Sequence, residues 1–388
     1  MTQEAARRRP WPQRLALGLL QLLAIAAITV ALGEVAVRAV LGLRPLTPAS
    51  FIFEGHPRWG WHHVPNAEGT FVKIGFQQDV KINSRGLRER EEVEYAKPPG
   101  VFRVLVLGDS AVAGFEVPAQ AVFPRVAEEI LRARGVETQW INAGVRGWGT
   151  DQCLLFLQDE GLRYQPDLVL YNWNGNDRSD NRTVHRPYRV YGKPWFTQNG
   201  DGRLELHGVP VPQFDYVEQL MVGEDGELKR YEVPASVRFA LLARDELAAR
   251  SAFAASLVLV AANVPALTQP ILRMGSFGDH RGPAVKGNPL ESRLFHVTAA
   301  LVAEMERSAA QAGARFQMIG KRHEFSDALR RETGLPEIDY WERFQARIPS
   351  EREIRVRFDP HYNELGHRLY AENLVEALLA AGYLPISP

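Results

Sequence analysis

Hydrophobic and polar positions divide the chain into three kinds of stretch. From Leu15 to Leu32 there is no charge, and only Gln21 and Thr29 are polar. About 18 helical residues rise about 27 Å, enough for a thin bilayer core. Arg7, Arg8, Arg9 and Arg14 precede the run, while Arg38 and Arg44 follow it. The positive-inside bias therefore predicts a cytoplasmic N-terminus and an extracytoplasmic remainder. A cleaved signal peptide has an apolar region of about 7–15 residues with a small-x-small site behind it. Here the apolar pattern continues through Val35, Val37 and Val40, which predicts an uncleaved signal anchor.

The second stretch, residues 44–100, mixes Pro, Gly and aromatic residues without sustained helical periodicity. It predicts an extended arm with short strands at Thr70–Ile74 and Asp79–Ile82. Ile82-Asn83-Ser84-Arg85-Gly86-Leu87-Arg88 predicts a turn, and Pro98-Pro99-Gly100 a boundary. In the third stretch strands and helices alternate. Apolar runs predict strands at Val101–Leu107, Gln139–Asn142, Asp167–Tyr171 and Arg315–Ile319. Helical spacing marks Phe123–Arg134, Asp151–Gly161, Glu291–Ala312 and Glu364–Ala381. Such alternation predicts a parallel sheet covered on both faces. Residues 178–290 interrupt it, rich in Gly, Pro, Tyr and charge to about Glu232, then apolar and helical from Ala235 to about Ala262. Ala252–Val264 is shorter than a normal span and closes at Asn263 and Pro265, which predicts a helix packed over the core. The predicted organisation is a basic tail and anchor (1–43), an arm (44–100) and one α/β domain (101–388) with an insertion at 178–290.

Composition narrows the function classes. The 388 residues carry 46 Lys+Arg and 46 Asp+Glu, so no net field draws in nucleic acid. A charged fraction of 24% and a hydrophobic fraction of 45% exclude a largely disordered chain. A mean hydropathy of -0.22 excludes a polytopic membrane protein. The single cysteine, Cys153, excludes an intrachain disulfide, a cysteine-rich zinc site and a thiol nucleophile at the site below. His56, His62 and His63 lack metal-ligand spacing to nearby carboxylates, so neither a metal nor a cofactor is expected.

Four short pieces fall where a strand should end or the last helix begin. They are Gly108-Asp109-Ser110, Asn142-Ala143-Gly144-Val145-Arg146-Gly147, Asn174-Gly175-Asn176-Asp177 and Asp359-Pro360-His361, the last followed by Asn363 and His367. The carboxyl ends of sheet strands are where ligands bind in open α/β folds. A helix after Ser110 would aim its first amides at developing negative charge. Ser110 does not sit in a Gly-x-Ser-x-Gly elbow, because Ala111-Val112-Ala113 separates it from Gly114. A serine hydroxyl needs a base within hydrogen-bond reach, histidine has a suitable pKa, and a carboxylate on its second nitrogen fixes the tautomer. In an extended segment Asp359 and His361 would point to one side.

The order and content of these pieces resemble the SGNH, or GDSL-type, serine hydrolases, over about 100–180 and 355–382. The resemblance implies a flavodoxin-like three-layer α/β/α sandwich and ester hydrolysis. It implies Ser110 as nucleophile, His361 as general base and Asp359 as the acid orienting it. It implies oxyanion donors from Ser110 N–H, Gly147 N–H and the Asn176 amide, with Gly144 the weaker alternative to Gly147. The chain departs from the family's pattern in Asp-x-His spacing and in Asn174, which stands where a glycine is usual.

The expected function is a serine esterase acting on acyl, preferably O-acetyl, esters of a small molecule or envelope carbohydrate. The partners expected are that substrate and a membrane. An O-acyltransferase with the same triad, and a glycan-binding scaffold without turnover, are the alternatives. Asp109 and Asp177 read as structural hydrogen-bond partners, and His367 as a packing or capping residue. Trp148, Trp173 and Trp195 lie near the predicted sheet edge and suit either sugar stacking or core packing. Arg178, Arg182 and Arg186 suit either an anion clamp or a solvated loop.

Overall fold

A computed structural model describes residues 10–42, 44–45, 51–73, 76–89, 91–186, 191–213, 218–232, 247–263, 288–357 and 359–385. Arg7 to Arg9, Ile74 and the expected helical residues 235–246 lie outside the described residues. Helix α1, Trp11–Leu41, opens after Pro10 and closes at Gly42 in the left-handed region. Its segment Trp11–Val40 is long and apolar enough to cross a membrane, and its most apolar 18-residue window has a mean hydropathy of 2.5.

Two antiparallel hairpins follow, β1 (Phe53–His56) with β2 (Gly60–His63), and β3 (Glu68–Lys73) with β4 (Phe76–Lys81). The regular pattern begins with β5 (Phe102–Gly108), a single turn α2 (Ser110–Ala113) and α3 (Phe123–Ala133). Then come β6 (Thr138–Gly144), α4 (Thr150–Asp159), β7 (Leu168–Trp173) and the short α5 (Asp177–Asp180). Next are the hairpins β8 (Trp195–Gln198) with β9 (Leu204–His207) and β10 (Glu218–Val222) with β11 (Leu228–Glu232), then α6 (Ala252–Asn263). The chain closes with α7 (Arg293–Gln311), β12 (Arg315–Gly320), α8 (Glu324–Thr333), α9 (Trp341–Arg347) and α10 (Glu364–Ala380).

Helices α1 and α6 belong to one compact unit, and the remaining elements to another. The larger unit is built on a four-stranded sheet in the order β12-β7-β5-β6, with every pair parallel. Numbered along the chain, that is 2-1-3-4, the order of a flavodoxin-like doubly wound sheet. The strands are apolar on both faces, as burial on both sides demands. Leu105, Leu107, Val169 and Tyr171 face one core with α4, α7 and α8. Val104, Val106, Leu168 and Leu170 face the other with α3, α9 and α10. The result is three layers, α/β/α. Ile52, Trp61, Phe71 and Val80 from the N-terminal hairpins join the first core.

Candidate active site

The sheet sets the site by ending its strands together. Gly108 at the end of β5 pairs with Gly144 of β6 and with Asn172 of β7. The loops after β5 and β7 therefore leave from neighbouring strands at the reversal of strand order, where open sheets form a crevice. Ser110 starts α2 directly after β5. Asp109 caps that turn by accepting from Ala111 N–H at 2.9 Å. The turn stops at Gly114, so Ser110 gains local amides rather than the dipole of a long helix. Gly144 lets the end of β6 press on α2, since a Cβ there would lie 2.4 Å from Ala113 N. Arg88, buried in the same unit, clasps the turn from behind by donating to the carbonyls of Ala113 (2.8 Å), Gly114 and Val117 (2.6 Å).

His361 reaches Ser110 from the loop before α10. Its Nε2 lies 2.7 Å from Ser110 Oγ, and its Nδ1 hydrogen bonds to Asp359 Oδ1. Asp359 and His361 face one side through an Asx-type turn rather than a strand, because Asp359 Oδ1 also accepts from His361 N–H at 2.9 Å. The loop is clipped by an Arg355–Tyr362 bridge, by Val356 N–H to His361 O at 3.0 Å, and by Arg355 donating to Pro360 O. Asn363 caps α10 by accepting from Gly366 N–H at 3.0 Å. Burial works to raise the Asp359 carboxyl, but hydrogen bonding and charge from His361 outweigh it and hold the group below its usual range. Asp359 is therefore a carboxylate wherever His361 can act as a base.

A second carboxylate faces the same nitrogen. Glu116 Oε1 lies 3.3 Å from His361 Nδ1, and its side chain is fully buried. Arg146 forms an ion pair with Glu116. Sequence reading missed Glu116, which sits in an irregular loop with no motif around it. Glu116, Asp359 and His361 offer ligand atoms within 4.8 Å of one another. The Arg146 guanidinium on Glu116 opposes a cation there.

The three expected oxyanion donors differ in readiness. Among the described residues, the N–H groups of Ser110 and Gly147 have no hydrogen-bond partner. Gly147 has φ +79°, and a Cβ added there would meet Arg186 Nε at 3.5 Å and the Trp61 ring at 3.7 Å. Trp61 holds this loop by donating to Arg146 O at 3.1 Å. Asn176 is engaged: its amide nitrogen donates to Asp109 Oδ2 and Asp180 Oδ2, both at 2.8 Å. The reverse amide orientation would set an oxygen against both carboxylates, so the assignment is forced. Both amide hydrogens are thus committed, and one must be released before Asn176 can serve an oxyanion.

A cavity of ≈ 220 Å³ opens on Ser110, Asn176 and His361, with Lys321, Trp341 and Arg355 also in its wall. Gly147 is not in that wall. Asp109 also accepts from Asn174 Nδ2 at 2.7 Å, and Asp177 accepts from Asn174 N–H and Tyr171 O–H, so both acids brace the loops. His367 accepts from Phe123 N–H at 3.3 Å, and burial pushes its pKa down to about 3. Trp148 and Trp173 are fully buried and do not line the cavity. Trp195 pairs with His207 in the β8–β9 hairpin.

No family model matches the chain. Over 75 residues it is 33% identical to an arylesterase of Vibrio mimicus. That relative is an esterase by name. The match takes in 19% of this chain and 38% of the relative, so the chain spans well under half the length of the curated protein it matches. The solved structure of TesA is similar at 12% identity and a TM-score of 0.35, covering 71% of this chain and 97% of that one. The psychrotrophic esterase EstA from Pseudoalteromonas sp. gives 11% and 0.36, covering 72% and 98%. Likeness that faint carries no chemistry across, and the fold rests on the strand order described above.

Proposed function

We propose that the chain is a membrane-anchored SGNH-type serine esterase whose domain faces the extracytoplasmic side. The observation that carries this is the chain of contacts from Ser110 Oγ through His361 to Asp359 at the wall of a cavity. Ser110 Oγ attacks the ester carbonyl carbon while His361 Nε2 takes its proton. Asp359 holds the Nδ1–H tautomer, and with Glu116 it stabilises the imidazolium. The tetrahedral oxyanion takes hydrogen bonds from the Ser110 and Gly147 N–H groups, joined by Asn176 once it drops a carboxylate. Collapse breaks the ester C–O bond, and the alkoxide leaves with the proton from Nε2. Water, deprotonated by His361, then attacks acyl-Ser110; the acyl C–Oγ bond breaks, the acid leaves, and Ser110 Oγ takes the proton back from Nε2. The modest cavity favours a short acyl group, and the extracytoplasmic setting favours O-acetylated carbohydrate. Partial identity to an arylesterase supports ester chemistry.

The test uses the purified full chain in detergent with an activated acetyl ester. Turnover should fall by at least about a thousandfold in Ser110→Ala and in His361→Ala. Equal rates in all three proteins would overturn the proposal. Acetyl transfer to an added sugar in place of water would convert the reading to a transferase.

A further inference from the structure

We infer that α6 is embedded in the outer leaflet of the bilayer beside α1, as a helix that enters and leaves on the same face. The inference rests on the reading of α1 as an anchor. The sequence carries no charge from Ser251 to Leu272, and Arg250 and Arg273 flank the stretch. A single crossing there is impossible, because β7 precedes it, β12 follows it, and the two strands pair in one sheet. Both ends must therefore lie on one side of the membrane. Helix α6 has 12 residues, so it rises about 18 Å, short of a core of about 30 Å.

A helix that starts at the edge of the hydrocarbon and runs into it must have its first N–H groups satisfied inside the protein or at the surface. Here that is done. Glu34 of α1 accepts from Ala252 N–H at 3.1 Å and Phe253 N–H at 2.8 Å, and from Ser251 O–H at 2.8 Å. Ser251 Oγ accepts from Ala254 N–H at 3.1 Å, and Ser251 O from Ala255 N–H at 2.9 Å. Arg38 pairs with Glu34 at 2.6 Å and offsets its charge. Glu34 stands just beyond the uncharged run of α1, at the outer end of the expected span. Gly33 admits the Phe253 ring, which a Cβ would meet at 2.7 Å. Leu247 and Leu257 are left 60% and 54% exposed, surfaces that acyl chains cover at no hydration cost. Removal of α1 as a cleaved leader would strip the cap from α6, so the pairing also argues for a retained anchor.

The test is spin-label accessibility in full-length protein reconstituted in phospholipid vesicles, in a Cys153→Ala background. Labels go at Leu257→Cys, at Leu23→Cys in α1 and at Leu228→Cys in the β10–β11 hairpin. The expected result is an oxygen-to-nickel-chelate accessibility ratio at position 257 that exceeds position 228 several-fold and stays below that at position 23, which lies at the middle of the α1 span. A ratio at 257 equal to that at 228, with 23 still lipid-exposed, would overturn the inference and leave the anchor standing. Nickel access at position 23 as well would overturn the anchor and the inference with it. None of these readings depends on whether Ser110 turns over esters.

Discussion

Two carboxylates on one imidazole nitrogen make a prediction that a simple triad does not. Asp359 holds the Nδ1 hydrogen bond, while Glu116 Oε1 waits at 3.3 Å. At an effective dielectric of about 20, a charge pair at that distance is worth about 5 kcal/mol before other charges count. Arg146 on the same carboxylate cancels much of this. A net effect of about 1–2 kcal/mol on the imidazolium remains, or roughly a five- to thirtyfold loss of kcat/KM in Glu116→Gln. The acid limb of the pH–rate profile should also move to lower pH, since a negative charge beside the base has gone. Removing a lone triad carboxylate costs on the order of ten-thousandfold. Asp359→Asn should cost less, on the order of a hundred- to thousandfold, because Glu116 can orient the ring in its place. The double variant should then be worse than the product of the two single losses. The assay is kcat/KM against pH on the activated acetyl ester, with circular dichroism confirming that each variant is folded. Unchanged rate and profile in Glu116→Gln, together with no further loss when it is added to Asp359→Asn, would refute the reasoning.

Other outcomes follow from the same geometry. Asn176→Ala should lower kcat by about a hundredfold with little change in KM, read by steady-state kinetics, because its amide turns from the carboxylates to the substrate only as the oxyanion forms. Gly144→Ala places a methyl group 2.4 Å from Ala113 N, and should cost about 1–3 kcal/mol in urea unfolding together with activity, since α2 must move. Burial pushes His63 and His367 down to about 3, so both stay neutral in the fold while the unfolded chain takes up protons near 6.5. Their contribution is therefore full above pH 6.5 and is lost as pH falls toward 3, by about 2 kcal/mol each at pH 5. Calorimetry should show Tm falling between pH 7.5 and 5, and falling less in His367→Gln; a flat profile would contradict this.

The parallel strands were legible because each is a short apolar run closed by turn residues, and the observed ends differ from the expected ones by a residue or two. Val101–Leu107 becomes Phe102–Gly108, and Arg315–Ile319 becomes Arg315–Gly320. The hairpin of β1 and β2 was not legible. Its Gly-Trp-His-His strand is buried at every position, so no alternation marks it. Helices α8 and α9 were hidden for a different reason, being short, charged and without a long apolar stripe. Ala252–Val264 read as a core helix because periodicity cannot tell burial in protein from burial in lipid; α6 belongs instead to the unit of α1. Within the site, Ser110, Asp359 and His361 were legible as motifs and come together through a turn between the last two. Glu116 and Arg146 meet His361 only because the loops after β5 and β6 fold onto one another, a pairing no local pattern encodes.

The central claim is that Ser110 is the activated nucleophile. It is tested most directly by treating the full chain with a fluorophosphonate and locating the adduct by peptide mass spectrometry. The account predicts a single adduct on Ser110, strongly slowed by His361→Ala and absent in Ser110→Ala. An adduct on another residue, or labelling of Ser110 at the same rate without His361, would contradict it.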